Sequence, residues 1–245
     1  MKNESLKKLQ RKIKNNRKIT KKKLDNLSDS FCILCGAEDD LTKEHVIPRW
    51  GFEGNPTKSF ITPINGSSQS YNKTVVPCCK DCNSNLLGNF EKDLKEKMLR
   101  EDKEFSNSEL REIIFWLEYI DYKFQILDLR RTWNKDYKNN NQIRALRAIP
   151  LSMLHSNLPE NPEDVFLLLK KSLEKLYRKK SDLDLNSLLI FKTKNESFHF
   201  IHSFENFIFI ELPICKIAFF YFIKERFKTN KLAYKKATKI LNENY

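Results

Sequence analysis

Two pairs of cysteines constrain the fold of this 245-residue chain more than any other feature. Cys32 and Cys35 form one C-x2-C pair, and Cys79 and Cys82 form a second pair further along the chain. Zinc prefers four tetrahedral ligands, and a pair with this spacing supplies two thiolates with little strain. Cys78 could replace Cys79, but its wider separation from Cys82 makes it the weaker choice. We therefore predict a structural zinc ion bound by Cys32, Cys35, Cys79 and Cys82.

An acid–histidine dipeptide, Glu44-His45, lies between the two cysteine pairs. Apolar and polar residues alternate around it, which predicts a short strand. A zinc ion with four thiolate ligands has no open position for water, so any chemistry must occur elsewhere. An imidazole that is neutral near pH 7 can act as a general base, and hard divalent cations prefer carboxylate oxygens. The alternative is that His45 is a partly buried histidine with a structural hydrogen bond. The dipeptide is therefore the candidate catalytic element.

The order of these residues resembles that of the HNH nucleases, the zinc-stapled branch of the ββα-metal endonucleases. The resemblance covers residues 32–91 and includes Asn83, which follows the last cysteine where the family has His or Asn. It implies that Glu44 and Asn83 bind a catalytic Mg²⁺ or Mn²⁺ ion and that His45 activates the attacking water. Asn83 could instead only cap the helix that is predicted to begin there.

The chain departs from the family at one position. The family's middle asparagine, which steadies the loop carrying the histidine without binding metal, aligns with Thr74. A Thr hydroxyl lacks the separate donor and acceptor ends of an amide, and Asn72 is a second candidate for this supporting role. Glu91 lies roughly 12 Å beyond Asn83 on a straight helix. We therefore predict that Glu91 is an acid on the helix surface or behind the site, not a ligand of the same ion.

A strong positive charge predicts a polyanionic partner. The formal net charge is +13 and the pI is about 9.4, which favours nucleic acid over a membrane surface, with solubility as the alternative. Residues 1–27 are predicted to be a basic arm, either a helix that is marginal alone or a tail that orders on phosphate. Trp50 could stack on a base or sugar, or pack against the cysteine turn. The predicted nucleic-acid-binding residues are Lys7, Lys8, Arg11, Lys12, Arg17, Lys18, Lys21, Lys22, Lys23 and Arg49.

Residues 101–245 are predicted to form a separate region that recognises the target or a partner. Apolar residues recur with helical spacing over 110–120, and a second helix is predicted to begin near Pro162. From Leu188 the period changes to two, which predicts an antiparallel meander, and a last helix is predicted over 229–241.

The predicted fold is therefore α+β, with a small zinc-stapled ββα-metal domain over residues 28–100 between the basic arm and the helical-plus-meander region. The predicted activity is metal-dependent hydrolysis of phosphodiester bonds, in DNA more than RNA, as a restriction or anti-phage defence effector. One alternative is a zinc-dependent module that binds nucleic acid without cleaving it. Another is a nuclease subunit that is active only with an ATPase or sensor bound through residues 101–245, or as a homodimer.

The predicted location is the cytoplasm. No stretch of the chain approaches the roughly 20 apolar residues of a membrane span, and the first residues lack the apolar run of a secretory signal. Four of the six cysteines have zinc spacing, which fits a reducing compartment better than a disulfide scaffold.

Overall fold

The computed structural model describes residues 4–15, 31–54, 59–61, 68–136, 162–203 and 206–244. Helices and antiparallel sheets are mixed, which confirms the α+β class. In chain order the elements are α1 (Glu4–Asn15), β1 (Leu41–His45), α2 (Arg49–Phe52), β2 (Ser59–Ile61), β3 (Ser68–Ser70), β4 (Val75–Cys79), a π-helical segment (Asp81–Leu87) continuing into α3 (Gly88–Leu99), α4 (Asn107–Asp136), α5 (Pro162–Tyr177), α6 (Asp182–Asn186), β5 (Leu188–Lys192), β6 (His199–Ser203), β7 (Phe207–Leu212), β8 (Ile217–Phe222) and α7 (Asn230–Asn244).

The antiparallel strands β1 and β4, called the hairpin below although a long connection joins them, carry the predicted site together with the helix after β4. β1 pairs antiparallel with β4, with Leu41 opposite Cys79 and His45 opposite Val75. The π-helical segment follows β4 directly, and α3 then buries one apolar face, formed by Phe90, Leu94 and Met98. The strand predicted around Glu44-His45 and the helix predicted after the second cysteine pair are therefore confirmed.

The central element of the fold is α4. Its residues 112–127 are all buried, because neighbours pack on every side of the helix. Trp116 illustrates this position: its ring stacks on Trp50 near the hairpin and also meets Phe219 of β8 edge-on. The helical spacing over 110–120 predicted one buried face, and the structure shows that the polar residues between the apolar ones are buried as well.

The large sheet differs from the predicted meander. Its strand order is β5-β8-β7-β6, so β5 pairs with β8 and not with β6. Every residue of β8 is buried, whereas β6 is half-buried along its whole length. An unbroken apolar run is typical of a strand covered on both faces. The strand β8 therefore lies inside the sheet, and β6 lies at one edge.

The two faces of the sheet pack against different helices. Alternate residues such as Ile208 and Tyr221 belong to the same core as α4, whereas Phe209 and Phe220 pack with Ala233 of α7. The first core also includes the cysteine turns and α3, and the Tyr122 hydroxyl of α4 donates to the Ile33 carbonyl at 2.9 Å. Residues on both sides of position 100 therefore share one core. The domain boundaries remain a prediction from the sequence.

Helix α1 packs against the rest of the fold, which the sequence did not indicate. Leu6, Leu9 and Ile13 are buried, and the helix contacts the π-helical segment and α5. Burial of such a side chain stabilises by about 1.5–3 kcal/mol, so three of them are enough to dock a helix that is marginal alone. Residues 4–15 are therefore a docked helix and not an arm that orders only on phosphate. The predicted basic residues Arg17, Lys18, Lys21, Lys22 and Lys23 lie outside the described residues.

Candidate functional site

The two cysteine pairs converge on one point. The ligand atoms of Cys32, Cys35, Cys79 and Cys82 all lie within 4.8 Å of one another. The first pair lies in a turn closed by a bond from the Gly36 N–H to the Cys32 carbonyl at 2.9 Å, and Gly36 has a positive φ that favours glycine. The second pair is brought together where β4 turns into the π-helical segment.

The spacing of the thiols fits a tetrahedral metal ion. Zinc–sulfur bonds of about 2.3 Å imply an edge of roughly 3.8 Å between sulfurs, and the Cys35 and Cys79 Sγ atoms are 3.6 Å apart. Cys78 also lies close, with its Sγ 3.7 Å from that of Cys32. The predicted cluster is therefore able to hold a metal ion such as zinc, and a fifth thiol borders it.

The thiols of the cluster shift one another's pKa. Hydrogen bonds from the thiols of Cys35, Cys78 and Cys82 hold the pKa of Cys32 below its usual value. The same interaction with Cys32 raises the pKa of Cys82. A divalent ion that binds here must displace thiol protons, so we expect metal uptake to release protons and to weaken in acid.

Glu44 points into the protein and is paired with a lysine of α4. Only 7% of Glu44 is exposed, and its Oε1 lies 2.8 Å from the Nζ of Lys123. The same ammonium donates to the backbone carbonyl of His45 at 2.7 Å and lies 4.4 Å from the centre of the Tyr119 ring. Lys123 is completely buried. One ammonium thus joins both residues of the acid–histidine dipeptide.

His45 is half-buried at the end of β1, and the centre of its ring lies 6.4 Å from that of Phe52. Burial lowers the pKa of His45; the Glu44 carboxylate opposes this effect, and the positive charges of Arg49 and Lys123 add to it. A lowered pKa keeps the imidazole neutral at pH 7, as a general base requires. Because side chains alternate along a strand, the ring leaves the hairpin on the face opposite to Glu44.

Asn83 lies on the same face of the hairpin as Glu44. Its Nδ2 donates to the Thr42 hydroxyl at 2.8 Å, and that hydroxyl donates to the Cys78 carbonyl at 2.8 Å. Thr42 and Glu44 are two residues apart on β1, so their side chains point the same way. The bond to Thr42 uses the amide nitrogen of Asn83 and not its amide oxygen.

Of the two residues predicted to support the loop that carries His45, Thr74 is the better placed. Its hydroxyl donates to the Ser70 carbonyl at 2.7 Å, and its own carbonyl accepts the N–H of Val46 at 2.9 Å. Val46 directly follows His45, so Thr74 ties down the chain immediately after the histidine. Asn72 is exposed in a 3₁₀ turn.

The carboxyl group of Glu91 is buried, so of the two predicted positions the acid lies behind the site and not on the helix surface. Its stem is partly exposed, but its Oε1 is buried and has no hydrogen-bond partner among the described residues. Burial and the charge of Glu44 raise its pKa to about 8, although Lys123 and the indole groups of Trp116 and Trp50 act in the opposite direction. The raised pKa favours the neutral form of Glu91, which lies next to the Glu44–Lys123 pair.

Sequence reasoning overlooked the part of the site that α4 contributes. Trp116, Tyr119 and Lys123 are completely buried there. The available signal was a lysine between Tyr122 and Phe124, within a run that is otherwise rich in aromatic and aliphatic residues. A lysine in such a position is almost never fully buried without a partner, so its presence indicates a buried acid elsewhere.

The basic residues of α1 lie beside the segment that carries Asn83. Lys8, Arg11 and Lys14 are exposed, and Lys7 and Lys12 are half-buried. Lys12 pairs with Asp81, and a groove between the two elements is lined by residues that include Lys8, Arg11, Asn85 and Asn89.

At the other end of the hairpin, Arg49 is exposed at the start of α2. Trp50 stacks on Trp116 with ring centres 5.6 Å apart. The tryptophan therefore packs against α4. Among the described helices, none has the length and apolar character needed to cross a membrane.

No protein-family model matches the chain, and neither a curated protein nor a solved structure does. The interpretation of the site therefore depends on its own geometry.

Proposed function

We propose that this chain is a zinc-stapled, divalent-metal-dependent endonuclease of the HNH type, acting on DNA more than on RNA. The observation that most supports it is the position of Glu44 and Asn83 on one face of a hairpin whose strand β4 ends in the cysteine cluster, with His45 adjacent to Glu44. Separate thiolate and oxygen donors are what a protein needs to keep a structural ion apart from a catalytic one.

The oxygen donors assigned to the catalytic cation are the Glu44 carboxylate and the Asn83 amide oxygen. Such an ion, when bound, neutralises charge on the phosphate and on the leaving oxygen. Lys123 contacts Oε1 of Glu44, so Oε2 would be the carboxylate oxygen that could hold a cation. The donor set is hard and oxygen-only, which fits Mg²⁺ or Mn²⁺ better than a soft metal.

His45 takes the proton from the attacking water. It is only half-buried, so water can reach its ring, and its lowered pKa favours the neutral form that accepts a proton. Because Glu44 and His45 leave β1 on opposite faces, the proposed reaction would require a phosphate at the end of the strand, near both residues.

Incubation of the zinc-loaded protein with plasmid DNA and with RNA tests the proposed reaction. We expect cleavage of DNA in Mg²⁺ or Mn²⁺ and none without them, since the reaction needs a cation at the leaving oxygen. A chelator that stops cleavage should leave DNA binding intact, provided that zinc content is measured and remains unchanged. Binding without cleavage under every metal condition would favour the non-catalytic module. Cleavage that requires an added ATPase or sensor would favour the subunit alternative.

The exposed basic residues of α1 should contribute to binding through phosphate contacts. Each such contact steepens the dependence of log K on log salt by about 0.9 for duplex DNA. Replacing Lys8, Arg11 and Lys14 together with alanine should therefore flatten the slope by up to about 3, measured by fluorescence anisotropy of a labelled duplex over a range of KCl concentrations.

The matched control replaces three exposed lysines of α7, namely Lys231, Lys235 and Lys239, and removes the same net charge. We expect it to change the slope much less. An equal effect of the two triple variants would mean that only the overall charge of the protein matters, and α1 would lose its assigned role.

A further inference from the structure

We infer that Lys123 is a positioning residue of the proposed site: from α4 it holds both the carboxylate that would bind the cation and the backbone of the base. The inference rests on the proposed function, because it concerns the same two residues, Glu44 and His45. It adds a member of the site from a part of the chain outside the resemblance to HNH nucleases.

The contacts of Lys123 support a holding role. Its ammonium bonds to Glu44 Oε1 at 2.8 Å and to the His45 carbonyl at 2.7 Å, and the Tyr119 ring covers it at 4.4 Å. The side chain of Lys123 has no solvent exposure, and that of Glu44 is 10% exposed. A buried ammonium with these partners has little freedom, so it fixes the rotamer of Glu44 and the carbonyl at the end of β1 together.

The location of the lysine explains why two residues are held by one group. Adjacent side chains of a strand point to opposite faces, so a single side chain cannot contact both Glu44 and the His45 imidazole on one face. Lys123 instead contacts the Glu44 side chain and the His45 backbone, both of which can be reached from the same side of β1. It thereby sets the position of the imidazole without touching it.

The fold contains a second buried lysine–glutamate pair that serves as a matched comparison. Lys180 pairs with Glu118 of α4, and both side chains are at most 3% exposed. Lys180 also donates to the Lys175 carbonyl at 2.5 Å, and the Tyr221 hydroxyl donates to Glu118 at 2.9 Å. This pair resembles Glu44–Lys123 in burial and in its carbonyl contact, but it contacts α5 and the large sheet instead of the hairpin.

The test has two measurements. Binding of Mn²⁺ to the zinc-loaded protein is monitored through the electron paramagnetic resonance signal of the free ion. Cleavage of plasmid DNA is measured in parallel. Residues that orient metal ligands typically change metal affinity by about 10- to 100-fold when replaced. We expect Lys123→Met to weaken Mn²⁺ binding by that factor and to lower cleavage, while Lys180→Met does neither. Melting temperature and zinc content are measured for both, so that a loss of stability is separated from a loss at the site.

A double-mutant cycle with Glu44→Gln identifies the route of the effect. If Lys123 acts through Glu44, the double variant should bind Mn²⁺ only slightly more weakly than Glu44→Gln alone. Lys123→Gln, which keeps a neutral donor, is the second variant if the methionine protein does not fold.

Three results would overturn the inference. The first is unchanged Mn²⁺ affinity in a folded Lys123 variant, and the second is an equal loss in Lys180→Met. The third is failure of both Lys123 variants to fold while Lys180→Met folds, which would make the lysine a structural residue only. If instead Glu44→Gln itself leaves Mn²⁺ binding and cleavage unchanged, the proposed function fails first, which distinguishes the two failures.

Discussion

Replacing His45 with alanine should reduce cleavage of DNA in Mg²⁺ by about 10²- to 10⁴-fold, the usual contribution of a general base. Alanine removes the imidazole but keeps the backbone carbonyl that accepts from Lys123. The ring is half-buried and packs loosely near Phe52, so we expect little change in folding or in zinc content. Single-turnover cleavage of a labelled duplex measures the change without a contribution from product release.

Two further measurements separate a chemical role of His45 from a structural one. Imidazole added to the buffer should partly restore cleavage by the His45→Ala protein, because a free base can occupy the space of the missing ring. His199→Ala is the matched control, since it removes an imidazole from β6, where the ring pairs with Glu211 at 2.6 Å. Undiminished cleavage by His45→Ala would mean that the base is assigned wrongly.

The local features of the site could be predicted because each depends on short-range rules. Paired cysteines, an alternating strand at Glu44 and a helix after Cys82 are encoded within a few residues. The structure joins the four cysteines and forms both elements. The roles of Glu44, His45 and Asn83 are predictions from the resemblance and from the chemistry of their side chains.

The remainder could not be predicted because it depends on contacts between distant residues. Nothing near Glu44 indicates that its partner is Lys123, and nothing near Glu91 indicates that two indole groups from other elements approach its carboxyl. The position of β8 inside the sheet is a similar case. Its uninterrupted apolar sequence shows that it is covered on both faces, but not which strands flank it.

Replacing Cys32 with serine should remove the metal from the cysteine cluster and unfold the protein. Structural zinc contributes about 10–16 kcal/mol in small zinc-binding peptides at pH 7, whereas a whole domain is stable by only about 5–15 kcal/mol. The loss should not remain local, because the cysteine turns share a core with α4 and Tyr122 bonds to Ile33 in the first turn. We expect a loss of cooperative thermal unfolding, together with a zinc content well below about one equivalent by elemental analysis.

Cys215→Ser is the control for the effect of changing any buried cysteine. Cys215 is 1% exposed and belongs to the same core, but it is not a member of the cluster of metal-ligating groups. We expect it to lower the melting temperature modestly and to keep the zinc. If Cys32→Ser behaves in the same way as Cys215→Ser, the cysteine cluster does not hold a structural ion.

The two adjacent cysteines of β4 allow a finer test of the same site. Cys79 is favoured as the ligand because its sulfur is grouped with those of Cys32, Cys35 and Cys82 and lies 3.6 Å from the Sγ of Cys35. Cys78 is completely buried behind Cys32 and borders the cluster. Cys79→Ser should therefore lose zinc, and Cys78→Ala should keep about one equivalent. The opposite result would make Cys78 the fourth ligand and leave the zinc site in place, because both sulfurs are within reach of the same tetrahedral position.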